Sequence, residues 1–136
     1  DEVKRLGLHN LDFTGPRQPK ELAADFRNAD IFVLLSFAEG VPKVSQEAAA
    51  CGLPVILFGF YEAPTVIDDE NGYIVWDDEQ LIERLGTLLT DSNLRARMGA
   101  RGAVMAQAWD WDNVAPQWEQ QVLERLPSVD IIQPRS

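Results

Sequence analysis

Cysteine and histidine are almost missing from this sequence of 136 residues, in which Cys51 and His9 are the only examples. A single cysteine excludes a disulfide framework within the chain and a metal cluster built on cysteine thiolates. A single histidine disfavours a Ser–His nucleophile and a histidine-rich metal site. We therefore expect neither a metal centre nor a cofactor in this chain.

Basic residues are also scarce, since 12 Lys and Arg stand against 22 Asp and Glu, for a formal net charge of −10. A surface of this sign disfavours broad binding of nucleic acids and docking on anionic membranes. An anionic ligand is still compatible with it. Such a ligand would have to be held by local dipoles and a few placed cations, because the overall field repels it.

Long apolar runs are absent as well, because no stretch approaches the ~18 residues that a membrane span needs. The sequence shows no secretory signal pattern, so a cytoplasmic setting is the expectation. Its 46% hydrophobic residues suffice for a core. The length predicts one domain over residues 1–136, with an irregular tail at residues 127–136.

Apolar segments alternate with helical patterns along the chain. Residues 31–35 and 54–58 are continuous apolar runs, which are typical of parallel strands covered by helices on both faces. Residues 73–76 predict a third strand after an Asn71-Gly72 turn, and residues 10–15 predict a short strand that ends on Gly15. This alternation predicts an α/β domain with a parallel sheet.

Helices are predicted over residues 20–28, over residues 42–51 with Pro42 in the first turn, and from Asp77 onward. Gly52 is expected to end the second of these helices in a left-handed conformation. Asp112 is expected to cap the last one. An amphipathic stripe is predicted for the helix after Asp77, and its members are Leu81, Ile82, Leu85, Leu88 and Leu89. The tryptophans near the end of the chain are interpreted as packing residues.

The segment over residues 36–43 joins a predicted strand to a predicted helix. Gly40 permits close approach of the backbone to a ligand, and the amides from Gly40 to Lys43 are those of a helix start. Such amides bind phosphate well, and Lys43 would add a positive charge. Glu39 and Glu47 could accept hydrogen bonds from hydroxyl groups. The residues alone leave open an ordinary helix start with a solvated Glu47.

A wider pattern surrounds these two glutamates. Glu39 and Glu47 are separated by seven residues, preceded by ADIFV at residues 29–33 and followed by AAACGLPV at residues 48–55. NGYIV at residues 71–75 and the Trp109-Asp110-Trp111 step complete it. In this order the pattern resembles the C-terminal domain of GT-B fold glycosyltransferases of family 4. The resemblance covers nearly the whole chain.

The resemblance implies a Rossmann-like parallel sheet with flanking helices, forming the C-terminal half of a GT-B fold. It implies that Glu39 faces the sugar of a nucleotide-diphosphate sugar and that Glu47 binds the ribose hydroxyls. It also implies that the amides of Gly40 and Val41 hold the β-phosphate, beside Pro42 and Lys43.

By the same resemblance, the loop at Gly15, Pro16 and Arg17 lies near the nucleobase. The whole enzyme would transfer a hexosyl group with retention, without a metal, and its acceptor would bind an N-terminal domain that this chain lacks. The isolated chain would then be inactive.

Two departures from the family pattern stand out. Residues 59–65 read GFYEAPT where the family is Gly-rich and carries a Pro-Glu pair, so Glu62 receives no role. The Arg and Lys that neutralise the diphosphate in relatives have no counterpart here. A non-catalytic binding module and a GT-B sugar epimerase therefore remain as alternatives.

Overall fold

The computed structural model describes residues 2–125, in which helices and strands alternate. The helices are α1 (Glu2–Arg5), α2 (Pro19–Asn28), α3 (Lys43–Ala50), α4 (Asp78–Thr90), α5 (Ser92–Ala106) and α6 (Trp111–Arg125), and the strands are β1 (Phe32–Leu34), β2 (Val55–Phe58) and β3 (Gly72–Val75). A 3-10 turn at Gln107–Trp109 joins α5 to α6. The predicted tail at residues 127–136 lies outside the described residues.

Within the described residues, the strands form one parallel sheet in the order β1-β2-β3. Phe32 pairs with Val55, and Val55 pairs in turn with Gly72. All four residues of the central strand β2 are buried. This explains why residues 54–58 are apolar without alternation, because helices cover both faces of the sheet. The predicted α/β, Rossmann-like fold is confirmed.

Successive side chains of β2 point to opposite faces and so belong to two cores. Val55 and Leu57 pack in one cluster with the α3 residues Ala48 and Ala49. Ile56 packs in the other cluster with residues of β3, α4 and α5. Helix α3 is thereby fixed against one face of the sheet, which sets the position of the loop before it.

Helix α5 packs closely on the end of α3. Gly52 has a φ of +83°, which confirms its predicted left-handed conformation after the helix. A Cβ on Gly99 of α5 would overlap the carbonyl oxygen of Gly52, and a Cβ on Gly102 would lie 3.5 Å from the Cβ of Ala49. Only Gly99 is therefore required by the close approach of the two helices, because 3.5 Å is an ordinary van der Waals contact.

The predicted strand at residues 10–15 is wrong. These residues are irregular and exposed, and Gly15 has a φ of +67°. A strand forms only where a neighbouring strand accepts its hydrogen bonds. The described sheet has no strand beside this segment. The short apolar pattern therefore lacks the pairing that would make it a strand.

Three smaller predictions also need correction. In α4, Ile82 and Leu89 are 71% and 62% exposed, so the buried stripe is narrower than predicted. Helix α6 is capped by Asp110, whose carboxylate accepts from the amide of Asp112, because the helix already begins at Trp111. Trp118 was interpreted as a residue of core or interdomain packing, and at 67% exposure it does not pack in a core of this chain.

No helix in the described part of the chain is both long and apolar enough to cross a membrane.

Candidate functional site

A cleft of about 690 Å³ opens beyond the carboxyl ends of β1 and β2. In parallel α/β sheets this is the edge at which ligands bind. The segment after β1 supplies one wall of the cleft, with Glu39, Gly40 and Val41. The segment after β2 supplies the other wall, with Glu62, Ala63 and Pro64. The structure thus brings three of the predicted site residues together with three residues that had no predicted role.

Helix α3 begins directly behind the first wall. Pro42 is buried and takes an extended N-cap conformation, with φ −71° and ψ 100°, so the helix starts at Lys43 rather than at Pro42. The first amides of a helix have no carbonyl partner within it. These amides and the exposed Lys43 lie at the end of the cleft wall, where an anion would meet the positive end of the helix dipole.

A buried pair of hydroxyl groups ties the two walls together. The Ser45 hydroxyl donates to the carbonyl oxygen of Pro42 at 2.7 Å. It therefore accepts from the Thr65 hydroxyl, which lies 2.9 Å away. Both hydroxyl side chains are completely buried. Buried hydroxyl groups that are satisfied in this way fix the relative position of the elements that carry them. The start of α3 is therefore anchored to the loop after β2.

Asn71 anchors the same loop from its far end. Its amide nitrogen donates to the carbonyl oxygen of Thr65 at 2.8 Å, and its amide oxygen accepts from the Ile67 amide at 2.8 Å. Like Thr65, this side chain is fully buried. The sequence indicated Asn71 only as a turn residue, and its spacing to Thr65 gave no signal of the network.

A second cavity of about 340 Å³ lies between α2 and α3. Its lining is apolar for the most part and comprises Arg17, Pro19, Leu22, Ala23, Phe26, Glu47, Ala50 and Cys51. Arg17 and Glu47, which the resemblance assigns to the nucleobase and the ribose, are therefore neighbours in one cavity. The lining includes neither Gly15 nor Pro16.

Arg17 is already engaged by an ion pair. Its Nε lies 2.9 Å from a carboxylate oxygen of Asp25 on α2, and both side chains are partly exposed. An exposed pair of this kind contributes little to stability. It does hold the guanidinium group against α2, at the edge of the second cavity.

The acidic side chains of the site point toward solvent. Glu39, Glu47 and Glu62 are all exposed. Among the described residues, no hydrogen bond or ion pair engages any of their carboxylates. Because Glu47 is exposed, burial does not force a partner upon it. The three carboxylates are thus free to accept hydrogen bonds from a ligand.

Tyr61 lies in the loop after β2, and sequence reasoning did not identify it. Its hydroxyl oxygen is buried and has no hydrogen-bond partner in the described structure. Burial raises the pKa of Tyr61, and the negative charge of Glu39 raises that pKa further. The phenol is therefore a neutral donor at physiological pH, within the electrostatic field of Glu39.

The described residues hold no group of three or more His, Cys, Asp or Glu side chains in an arrangement that could bind a metal ion.

The chain is similar to known proteins in both sequence and fold. A profile of the family described as glycosyl transferases group 1 matches residues 1–105. The chain is 37% identical, over 119 residues, to the D-inositol 3-phosphate glycosyltransferase of Corynebacterium glutamicum (strain R). That match covers 85% of this chain and 28% of the relative.

Two solved structures share the fold over most of this chain. Sucrose-phosphate synthase from Thermosynechococcus elongatus matches with a TM-score of 0.83 at 29% identity, covering 90% of this chain and 32% of that one. HepE from Anabaena, solved in complex with UDP and glucose, matches with a TM-score of 0.76 at 25% identity, covering 92% and 35%.

The chain thus spans 28% of the length of the curated relative and about a third of each solved structure. Within that span the fold, the order of the motifs and the family profile agree. The chain belongs to the group 1 glycosyl transferase family and corresponds to its C-terminal domain, of GT-B type.

Proposed function

We propose that this chain binds the nucleotide-diphosphate sugar donor of a retaining glycosyltransferase that transfers a hexosyl group. The observation that carries the proposal is the placement of the two cavities along α3. Glu39 lines the cleft before the helix, and Glu47 lines the cavity beside its second turn. A helix of eight residues is about 12 Å long, which is comparable to the length of a nucleotide-sugar.

In this arrangement the donor lies along α3. The sugar occupies the cleft beside Glu39, the diphosphate meets the amides of Gly40 to Lys43, and the ribose hydroxyls bind Glu47. The nucleobase occupies the apolar cavity beside Arg17, near Gly15 and Pro16. The similarity to HepE, whose complex contains UDP and glucose, supports this assignment.

Catalysis would be electrostatic. The amides at the start of α3 and the Lys43 side chain would stabilise the charge that develops on the departing diphosphate. Glu39 would hold the sugar in position for transfer. Since these groups supply positive potential to the phosphates, we propose that the reaction needs no metal ion.

The acceptor would bind a second domain, which corresponds to the part of the relatives that this chain does not span. The transferase activity would then belong to the two-domain enzyme in the cytoplasm, and the present chain alone would bind the donor without transferring the sugar. Detection of sugar transfer by this chain alone would overturn that part of the proposal.

Calorimetric titration of the chain with UDP, GDP and ADP tests the proposal. We expect one of the three to bind, and we expect Glu47→Ala to weaken that binding about tenfold through the loss of the ribose contact. Glu83→Ala on the exposed face of α4 is the matched control, and its binding should be unchanged. If none of the three nucleotides binds, the chain is a non-catalytic module.

A further inference from the structure

Glu62 occupies the wall of the cleft opposite Glu39. The two glutamates line the same cleft of about 690 Å³ although 23 positions separate them in the sequence, and both are exposed. Glu62 does not belong to the pair Glu39 and Glu47 on which the resemblance rests.

The backbone that carries Glu62 is held on both sides. On one side, Thr65 is fixed by its contacts with Ser45 and Asn71. On the other side, Gly59 packs so closely on the ring of Trp76 that a Cβ would overlap it. The Glu62 side chain therefore extends into the cleft from backbone that is anchored at Gly59 and at Thr65.

Both ionisable side chains that line the cleft, Glu39 and Glu62, are carboxylates. Carboxylates from both walls face it, and the chain as a whole has a net charge of −10. The raised pKa of Tyr61, due to burial and then to Glu39, shows that the charge on the first wall reaches the loop that carries the second. Lys43 is not among the residues that line this cleft and stands at the start of α3, where the diphosphate would lie.

We propose that Glu62 makes this cleft selective for a neutral sugar rich in hydroxyl groups, against a sugar that carries a carboxylate. The inference rests on the proposed function, because it concerns the transferred group of the same donor. Ionised carboxylates accept hydrogen bonds only, so Glu39 and Glu62 match sugar hydroxyls, which donate. They repel a uronate, and a like charge placed against a ligand is an effective means of excluding it.

The test uses calorimetry with UDP, UDP-glucose and UDP-glucuronate, or with GDP, GDP-mannose and GDP-mannuronate if guanosine is the base that binds. The wild-type chain should bind the neutral sugar donor about tenfold more tightly than the uronate donor. The reason is the repulsion between the uronate and the two cleft carboxylates, which solvent screens in part. Glu62→Gln should reduce this ratio to about threefold by removing one of the two charges. Glu62→Lys should bring it to one or invert it.

The controls separate the inference from the proposed function. Binding of the nucleoside diphosphate itself should be the same in all variants, because Glu62 faces the sugar end of the site. Glu83→Gln on α4 should leave the ratio at its wild-type value, since this side chain is exposed and lies outside the cleft. Melting temperatures should match, because no hydrogen bond or ion pair of the described structure involves the Glu62 carboxylate.

Each outcome decides something different. If no nucleoside diphosphate binds, the proposed function and the inference fail together. If the nucleoside diphosphate binds but the wild-type chain takes the neutral and the uronate donors equally well, the inference alone fails. It fails also if the chain discriminates and Glu62→Gln and Glu62→Lys leave the ratio unchanged.

Discussion

The two faces of helix α3 differ in almost every respect. On the inner face, Ser45, Ala48 and Ala49 have no exposed surface, and the hydroxyl of Ser45 is hydrogen-bonded. On the outer face, Lys43 and Glu47 are exposed, and no hydrogen bond or ion pair of the described residues engages either side chain. We call the buried, fully bonded or closely packed residues, such as Ser45, Ala48 and Ala49, the frame. We call the exposed side chains without partners, such as Lys43 and Glu47, the rim.

The same contrast extends to the loop after β2. Thr65 is buried and bonded, whereas Glu62, three residues away, faces the cleft. Side chains whose bonding is complete contribute to folding, and side chains without partners are available to a ligand. Changes in the frame should therefore reduce the free energy of unfolding, and changes in the rim should reduce binding and leave stability unchanged.

The largest expected effect comes from Gly99→Ala, at the contact between α5 and the end of α3. Since the new Cβ would overlap the carbonyl oxygen of Gly52, we expect a loss of about 3 kcal/mol in the free energy of unfolding, measured with urea. Gly86→Ala is the matched control, because nothing lies within 4 Å of its Cβ position in α4. It should stabilise the chain by about 1 kcal/mol. A similar change in the free energy of unfolding for both variants would contradict a stabilising role for the close packing at Gly99.

Asn71→Ala tests the frame through hydrogen bonds instead of packing. The substitution removes the partners of the Ile67 amide and the Thr65 carbonyl, so we expect a loss of about 2 kcal/mol. Asn113→Ala also removes an amide–carbonyl bond, but at an exposed site, and should cost under about 1 kcal/mol. If thermal or urea unfolding shows an equal loss in the free energy of unfolding for the two variants, the buried hydrogen bonds of Asn71 stabilise the fold no more than an exposed one.

Glu39→Gln tests the rim. The melting temperature should stay within the error of the wild type, because the carboxylate has no hydrogen bond or ion pair in the described structure. Binding of a nucleotide-sugar should weaken about tenfold relative to the nucleoside diphosphate alone, through the loss of one charged acceptor. A drop in stability without a change in binding would place Glu39 in the frame.

Tyr61→Phe gives the smallest effect and lies on the border between the two regions. A pKa that is raised on folding contributes stability below the ordinary pKa of about 10, and this stability is lost as the pH rises through the folded pKa. The wild type should therefore lose stability more steeply above pH 10 than Tyr61→Phe. At pH 7 Tyr61→Phe should melt slightly higher than the wild type, since it removes a buried hydroxyl that has no partner. Parallel pH profiles would contradict the burial of the phenol.

The frame and the rim were predictable from the sequence to different degrees. Continuous apolar runs identified β1 and β2 to within one residue at each end, because a strand covered on both faces must be apolar at every position. The left-handed Gly52 followed from the chemistry of helix ends. The segment of residues 10–15 was misassigned, since its alternation could not reveal that no partner strand lies beside it.

The residues of the site were found through their local pattern, and those that hold them were not. Glu39, Gly40 and Val41 stand in one segment and line one cleft. Thr65 and Asn71 come from another part of the chain, and only the fold brings Thr65 into contact with Ser45. A contact between positions 20 residues apart leaves no periodic trace in a single sequence. For the same reason Glu62 received no role until its position in the cleft was known.

The most direct test of the central claim is amide chemical-shift mapping of the chain by NMR as UDP is added. The account predicts that the largest shifts fall on Gly40, Val41 and Lys43 at the start of α3, with smaller ones at Arg17 and Glu47. The amides of Gly99 and Asn71 should barely move. Shifts centred on the 420 Å³ cavity at Pro116 to Glu124 of α6, or no shifts with UDP, GDP or ADP, would contradict it.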